Sequence, residues 1–269
     1  MNRLRYIWLL LFAALPVSGG AAAMSSTLSA DDIMAKAVAR AESPVNHEAR
    51  PDYFYTKKTV TEDLDSKGHV KERKERVYEV SVAAGLSYLK LLEMNGQSLS
   101  TAELKKQADH EAAERQKLAD AKPGQKGDER ENFLTADLVQ RFNFTLAGEQ
   151  MINGRRAYIL SFDPKPGMPV KKLTDRFVNQ MAGTALIDAE DFEIARAEIH
   201  LKGEVSLWGG VVGTLRHCRF TLERTRLADG SWFNSDSHGI FEGRKLLEPM
   251  LIRTHSESSN FRQASATVQ

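Results

Sequence analysis

Two turn dipeptides, Asn153-Gly154 and Asp229-Gly230, stand between runs of alternating apolar and polar residues, and they commit the chain to antiparallel sheet. Both are strong hairpin-turn signals, so the strands on either side are expected to lie next to each other. Before the first turn Phe142, Phe144 and Leu146 alternate, and after it Tyr158, Leu160 and Phe162 do the same. Period two puts each trio on one face of its strand, and if both trios face the concavity they form a contiguous apolar wall. Asp163-Pro164-Lys165-Pro166-Gly167 stops it. From Gly183 onward the pattern predicts strands over residues 184–188, 192–201, 204–208, 214–226, 231–241 and 251–260.

The first half adds more sheet. Residues 53–62 and 70–82 flank the turn Asp65-Ser66-Lys67-Gly68, and residues 86–94 form a third run closed by Asn95-Gly96. Helices interrupt this meander. Ser29 with Asp32 three residues on forms a capping box, followed by Ile33, Met34, Ala37, Val38 and Ala41 at helical spacing, up to Pro44. Ser100 and Glu103 open a second helix, polar except for small residues, which runs to about residue 121 before Lys122-Pro123-Gly124. Residues 97–129 are therefore expected as a polar helical insertion, exposed and weakly held. Phe133, Leu134 and Leu138 predict one short helix, and Leu173, Phe177 and Met181 another. The total is an α+β fold, with about ten to eleven antiparallel strands. Too many strands are present for a flat open sheet, so a strongly curved sheet with helices covering its concave face is expected.

Composition limits what such a fold can do. A formal net charge of +1, with acids and bases interleaved as in Lys71-Glu72-Arg73-Lys74-Glu75-Arg76, provides no field for holding nucleic acid. At the N-terminus, Arg3 and Arg5 precede an apolar run over residues 6–17 and then Ala21-Ala22-Ala23. That order reads as a secretory signal over residues 1–23, with a periplasmic mature chain over residues 24–269 forming a single domain. Retention of the segment as an anchor is the alternative. The lone cysteine, Cys218, excludes an internal disulfide and reads as a small buried hydrophobe.

Catalytic signatures are missing: no G-x-S-x-G, P-loop, H-E-x-x-H or C-x-x-C occurs, and neither a catalytic residue nor a cofactor is expected. His200, His217, His238 and His255 fall on successive predicted strands and could converge on zinc only if register gave them one face. Their flanks, such as Ser237-His238-Gly239 and Thr254-His255-Ser256, look solvent-facing, and no metal site is expected. Asp188, Glu190, Asp191 and Glu193 read as turn chemistry between two strands.

The hairpin-return strand Gly154-Arg155-Arg156-Ala157-Tyr158-Ile159-Leu160-Ser161-Phe162-Asp163-Pro164 and the strand Gly183-Thr184-Ala185-Leu186-Ile187-Asp188 resemble blocks of the LolA/LolB-like lipoprotein-carrier superfamily. The carrier-like domain of RseB is also similar. The resemblance implies an unclosed β-barrel, lidded by helices, whose concave face takes lipid acyl chains. On that basis Phe142, Phe144, Leu146, Tyr158, Leu160 and Phe162 are the expected ligand-binding residues. The expected function is an exported carrier of lipid or lipoprotein, acting as a monomer. The alternatives are an envelope sensor or interaction module that recognises a protein partner without lipid transfer, and, third, a secreted hydrolase.

Overall fold

The computed structural model describes residues 28–43, 53–83, 86–109, 134–207, 213–246 and 248–264. Its strands join in a single twelve-stranded antiparallel sheet. They are β1 (Tyr53–Leu64), β2 (Val70–Ala83), β3 (Leu86–Met94), β4 (Gln97–Ser98), β5 (Phe142–Ile152), β6 (Arg155–Pro164), β7 (Met181–Asp188), β8 (Ile194–Leu201), β9 (Val205–Leu207), β10 (Gly213–Arg226), β11 (Trp232–Lys245) and β12 (Glu248–Gln263).

Strand order is β4-β3-β2-β1-β12-β11-β10-β8-β7-β6-β5, with β9 pairing β10 off this path. Among the described residues the ends of the path, β4 and β5, are not paired with each other, so the sheet is an unclosed barrel. Local hairpins account for most neighbours. The main exception is β12, which lies between β1 and β11, placing Tyr53 opposite Gln263 and His238 opposite His255. The strand count exceeds the expected ten to eleven because the Asn95-Gly96 turn folds two further residues, Gln97 and Ser98, back onto Met94 and Glu93.

Aromatic rings gather where β1, β11 and β12 come together. The rings of Tyr53 and Phe233 lie 5.0 Å apart, with Phe261 of β12 5.3 Å from Phe233. Together with Val80 and Val82 they make one core cluster. The Tyr53 hydroxyl donates to Asp229 at 2.8 Å, tying β1 to the β10–β11 turn. Burial and that carboxylate push the Tyr53 phenol up to about 12.

The second cluster lies toward the other end of the sheet, under helix α1 (Ala30–Ala41). The capping box forms as the sequence predicts: Asp32 N–H donates to Ser29 Oγ at 3.1 Å, and Ser29 N–H donates to the Asp32 carboxylate at 3.1 Å. Ile33, Met34 and Ala37 pack into the sheet against Tyr158, Leu160, Ala185 and Ile187. Helix α2 (residues 101–109) begins at the expected Ser100–Glu103 box, and its Gln107 accepts the Leu91 N–H at 3.2 Å. The remainder of the polar insertion, residues 110–129, lies outside the described residues, as do Phe133 and the signal-like segment. Two short helices follow, α3 (Ala136–Val139) and α4 (Leu173–Val178). Met181, expected as a continuation of the helical period, instead opens β7 opposite Leu201, because the sheet ladder satisfies its backbone.

Ile33, Leu160 and Ile187 are among the largest fully buried side chains, and they meet across the α1–sheet contact. Ile33→Ala should therefore lower stability by about 2–5 kcal/mol, the range for a truncated core isoleucine. Urea unfolding checks this: the midpoint falls while its steepness stays as in the wild type.

Candidate functional site

The hairpin of β5 and β6 builds the site. Asn153 and Gly154 adopt φ of 50° and 77°, the two positive values its tight turn requires. Phe144 then faces Phe162, and Leu146 faces Leu160. Counted from the turn, Tyr158 stands opposite Glu149, and a bulge between Leu146 and Gly148 then shifts the register by one residue, which brings Leu146 and Phe144 opposite Leu160 and Phe162. The Phe142 ring lies 5.3 Å from that of Phe162 and 6.2 Å from that of Phe144. Tyr158 stacks on Phe192 at 6.5 Å, and the Lys36 ammonium of α1 lies over the same Phe192 ring at 4.8 Å.

All six expected wall residues are therefore neighbours on two paired strands. Phe142, Tyr158 and Leu160 are buried, and Phe144, Leu146 and Phe162 are half-buried. Tyr158 and Leu160 lie beneath α1, with Phe144 and Leu146 packed at the margin of the same cluster. Among the described residues α1 covers this part of the wall, with Leu134 and Val139 packed against the same cluster.

Polar residues pin the edge of this core, and residue pattern alone does not reveal them as a network. Asp188 ends β7 fully buried. Arg155, the first residue after the hairpin, donates to both its oxygens at 2.6 and 2.7 Å, and the N–H groups of Glu190 and Asp191 donate to it at 3.0 and 2.8 Å. Burial pushes the Asp188 carboxyl up, but Arg155 and the two backbone donors outweigh it and hold the group below the usual carboxylate range. Asp191 accepts from Arg226 at 2.6 Å and from the Trp232 indole at 2.9 Å. Glu193 bridges α1 and the sheet, with Arg40 at 3.4 Å and Arg224 at 2.8 Å. Beside this network lies a cavity of about 260 Å³, lined by Asn153, Arg155, Arg226 and Trp232 among others. Turn chemistry accounts for the backbone contacts of Asp188, while the arginines opposite these acids come from elements distant in sequence.

The four histidines separate into two groups. His200 faces Arg219 and His217 faces Glu242, whereas His238 and His255 face each other. Their rings stack at 4.3 Å with 11° between planes, beside Asp236. Cys218 is half-buried, and burial raises its thiol pKa, in keeping with a packing role. No helix of the described residues is long and apolar enough to cross a membrane.

These features define an unclosed antiparallel half-barrel with a helix laid on an apolar concave wall. Among solved structures, the chain is similar to a DUF1329 family protein from Desulfovibrio piger, at 16% identity over 89% of this chain and 95% of that one, with a TM-score of 0.35. It is also similar to a LolA superfamily protein from Nitrosomonas europaea, at 11% identity over 89% of this chain and 95% of that one, with a TM-score of 0.31. A third is the MucA/MucB complex of Pseudomonas aeruginosa, matched at 12% identity over 88% of this chain and 99% of that one, with a TM-score of 0.28. No family model matches the sequence, and no curated protein matches it.

The Asp188 network makes stability depend on acid. A carboxyl held low in the folded state stabilises fully above its unfolded pKa of about 3.9, and that contribution fades as pH falls through the lower folded value. Asp188→Asn should cost about 3 kcal/mol near neutral pH, the lower end for breaking a buried pair, since Glu190 and Asp191 still face Arg155. Urea midpoints measured from neutral pH into strong acid should show the gap between wild type and variant narrowing below about pH 4.

Proposed function

We propose that the protein is an exported, periplasmic, single-domain binding module that takes the acyl chains of a lipid or lipoprotein on its concave wall, with α1 as the lid. The observation that carries this reading is the wall itself. Four of the six large apolar side chains of the hairpin, Phe144, Leu146, Tyr158 and Leu160, share one cluster with α1, whose Ile33, Met34 and Ala37 would fill the space a ligand takes. A helix joined mainly through apolar side chains can exchange places with another apolar body. Each acyl methylene buried there gains about 0.8 kcal/mol before ordering costs, so a chain burying about ten of them offsets roughly 8 kcal/mol of displaced helix packing.

A second reading, a module that recognises a protein partner, is favoured by the edge of the sheet. Beyond Glu93 and Met94, β3 pairs with no strand but β2 among the described residues, Gln107 of α2 takes only its Leu91 N–H, and Leu89 and Leu92 are exposed on it. Such an edge can accept a strand from a partner. Native mass spectrometry of protein purified from membranes separates the two readings: bound lipid supports the carrier, and a stoichiometric polypeptide without lipid supports the interaction module.

Loosening the lid supplies the direct test. The closed form competes with ligand binding, so weakening the packing of α1 should raise apparent affinity. Met34→Ala should tighten binding of a fluorescent fatty acid by about tenfold, equivalent to roughly 1.4 kcal/mol less lid packing. Leu160→Ala, which removes part of the wall, should weaken it. Absence of fatty-acid binding in the folded wild type and in Met34→Ala alike overturns the carrier reading.

A further inference from the structure

We propose that Asp236, His238 and His255 form a binding site for a divalent transition-metal ion, zinc being the best-suited, on the face of β11 and β12 that carries His238. Asp236 and His238 are two residues apart on β11 and so project from the same face. The ladder then sets His255 of β12 directly opposite His238, and Glu257 directly opposite Asp236. Four residues with metal-ligating side chains thus occupy a two-by-two block of adjacent positions, held by two paired strands.

The ligand atoms already converge. His238 Nε2 lies 2.7 Å from Asp236 Oδ1, and His255 Nε2 lies 2.8 Å from Oδ2 of the same carboxylate. One ligand atom from each of the three residues falls within 4.8 Å of the others. Zinc bonds to imidazole nitrogen and carboxylate oxygen are about 2.0–2.2 Å, which sets ligand atoms around one tetrahedral ion about 3.4 Å apart. Opening each Nε2–oxygen contact by roughly 0.6 Å, and tilting the two stacked rings so that both Nε2 atoms point at one position, makes room for the ion. The side chains are free to make that adjustment, because Asp236, His238 and His255 keep 26%, 61% and 43% of their side-chain surface exposed.

Core packing does not account for the arrangement, since neither ring is buried. Two imidazoles and one carboxylate make a borderline donor set, which suits zinc, copper or nickel and disfavours calcium and magnesium. Three protein ligands leave further coordination positions for water or for Glu257. These positions adjoin a groove of about 470 Å³ whose lining includes His238, His255, Arg219 and Arg253. The site is separate from the apolar wall and stands or falls independently of the lipid reading.

Calorimetric titration of the untagged protein with zinc chloride, in a buffer that does not bind metal, is the test. The expected result is one zinc ion per chain at micromolar affinity. His238→Ala and His255→Ala should each weaken binding by at least about tenfold, and Asp236→Asn should weaken it by a similar factor. His200→Ala and His217→Ala, which change exposed histidines outside the cluster, should leave it unchanged. Circular dichroism establishes that each variant is folded. Failure of the folded wild type to bind zinc overturns the proposal, as does binding that survives both His238→Ala and His255→Ala or that falls equally with His217→Ala.

Discussion

An open sheet must hide one face from water, and in this protein the contact between α1 and the wall formed by β5 to β8 does so. Leu160 and Ile187 sit in the middle of a face that an open sheet would leave wet, and both become fully buried because Ile33 and its neighbours are laid across them. The hydrophobic term is non-directional, so it explains why a helix must cover the wall but not where that helix sits. Placement comes from polar groups. Glu193 takes Arg40 from the helix and Arg224 from the sheet, and Lys36 lies over the Phe192 ring.

The polar network at that edge does similar work for the strands. Asp188 closes β7 and caps the turn into β8 with its own carboxylate, while Arg155 reaches it from the start of β6. Through Asp191 the same turn reaches Arg226 and Trp232, which flank the β10–β11 hairpin. Three separate connections of the sheet are thereby held in one arrangement by directional bonds. A buried ion pair of this kind contributes geometry more reliably than it contributes stability.

Much of this was legible from residue pattern. Asn153-Gly154 and Asp229-Gly230 mark hairpins because their backbone requirement is local, and the Ser29 capping box marks the start of α1 for the same reason. Each apolar trio was legible as one face of its strand from period-two alternation, but a two-residue turn alone would set Leu146 opposite Ser161, and the bulge is what brings both trios onto one face. What depended on distant pairing was not legible. The bulge before Gly148 moves Leu146 and Phe144 by one position into line with Leu160 and Phe162, and a glycine within a strand hints at a bulge without fixing that pairing. His238 and His255 meet only through the register of β11 with β12, and solvent-facing flanks argue nothing about whether two exposed rings share a face. Arg155 was hidden by its place: a basic residue beside a turn looks solvated until the strand that ends in Asp188 is laid beside it.

The position of β12 has a consequence for assembly. The strands from β1 to β4 form one meander and those from β5 to β11 form another, each built largely from sequence neighbours that can meet early. Among the described residues the two meanders join in the sheet only through β12, which takes β1 on one side and β11 on the other. Until that segment is available, two half-sheets exist with the long edges of β1 and β11 open to any other extended chain. Of the described strands, the one that joins the halves comes last in sequence, so a ribosome must deliver β1 to β11 before this sheet can become one cooperative body.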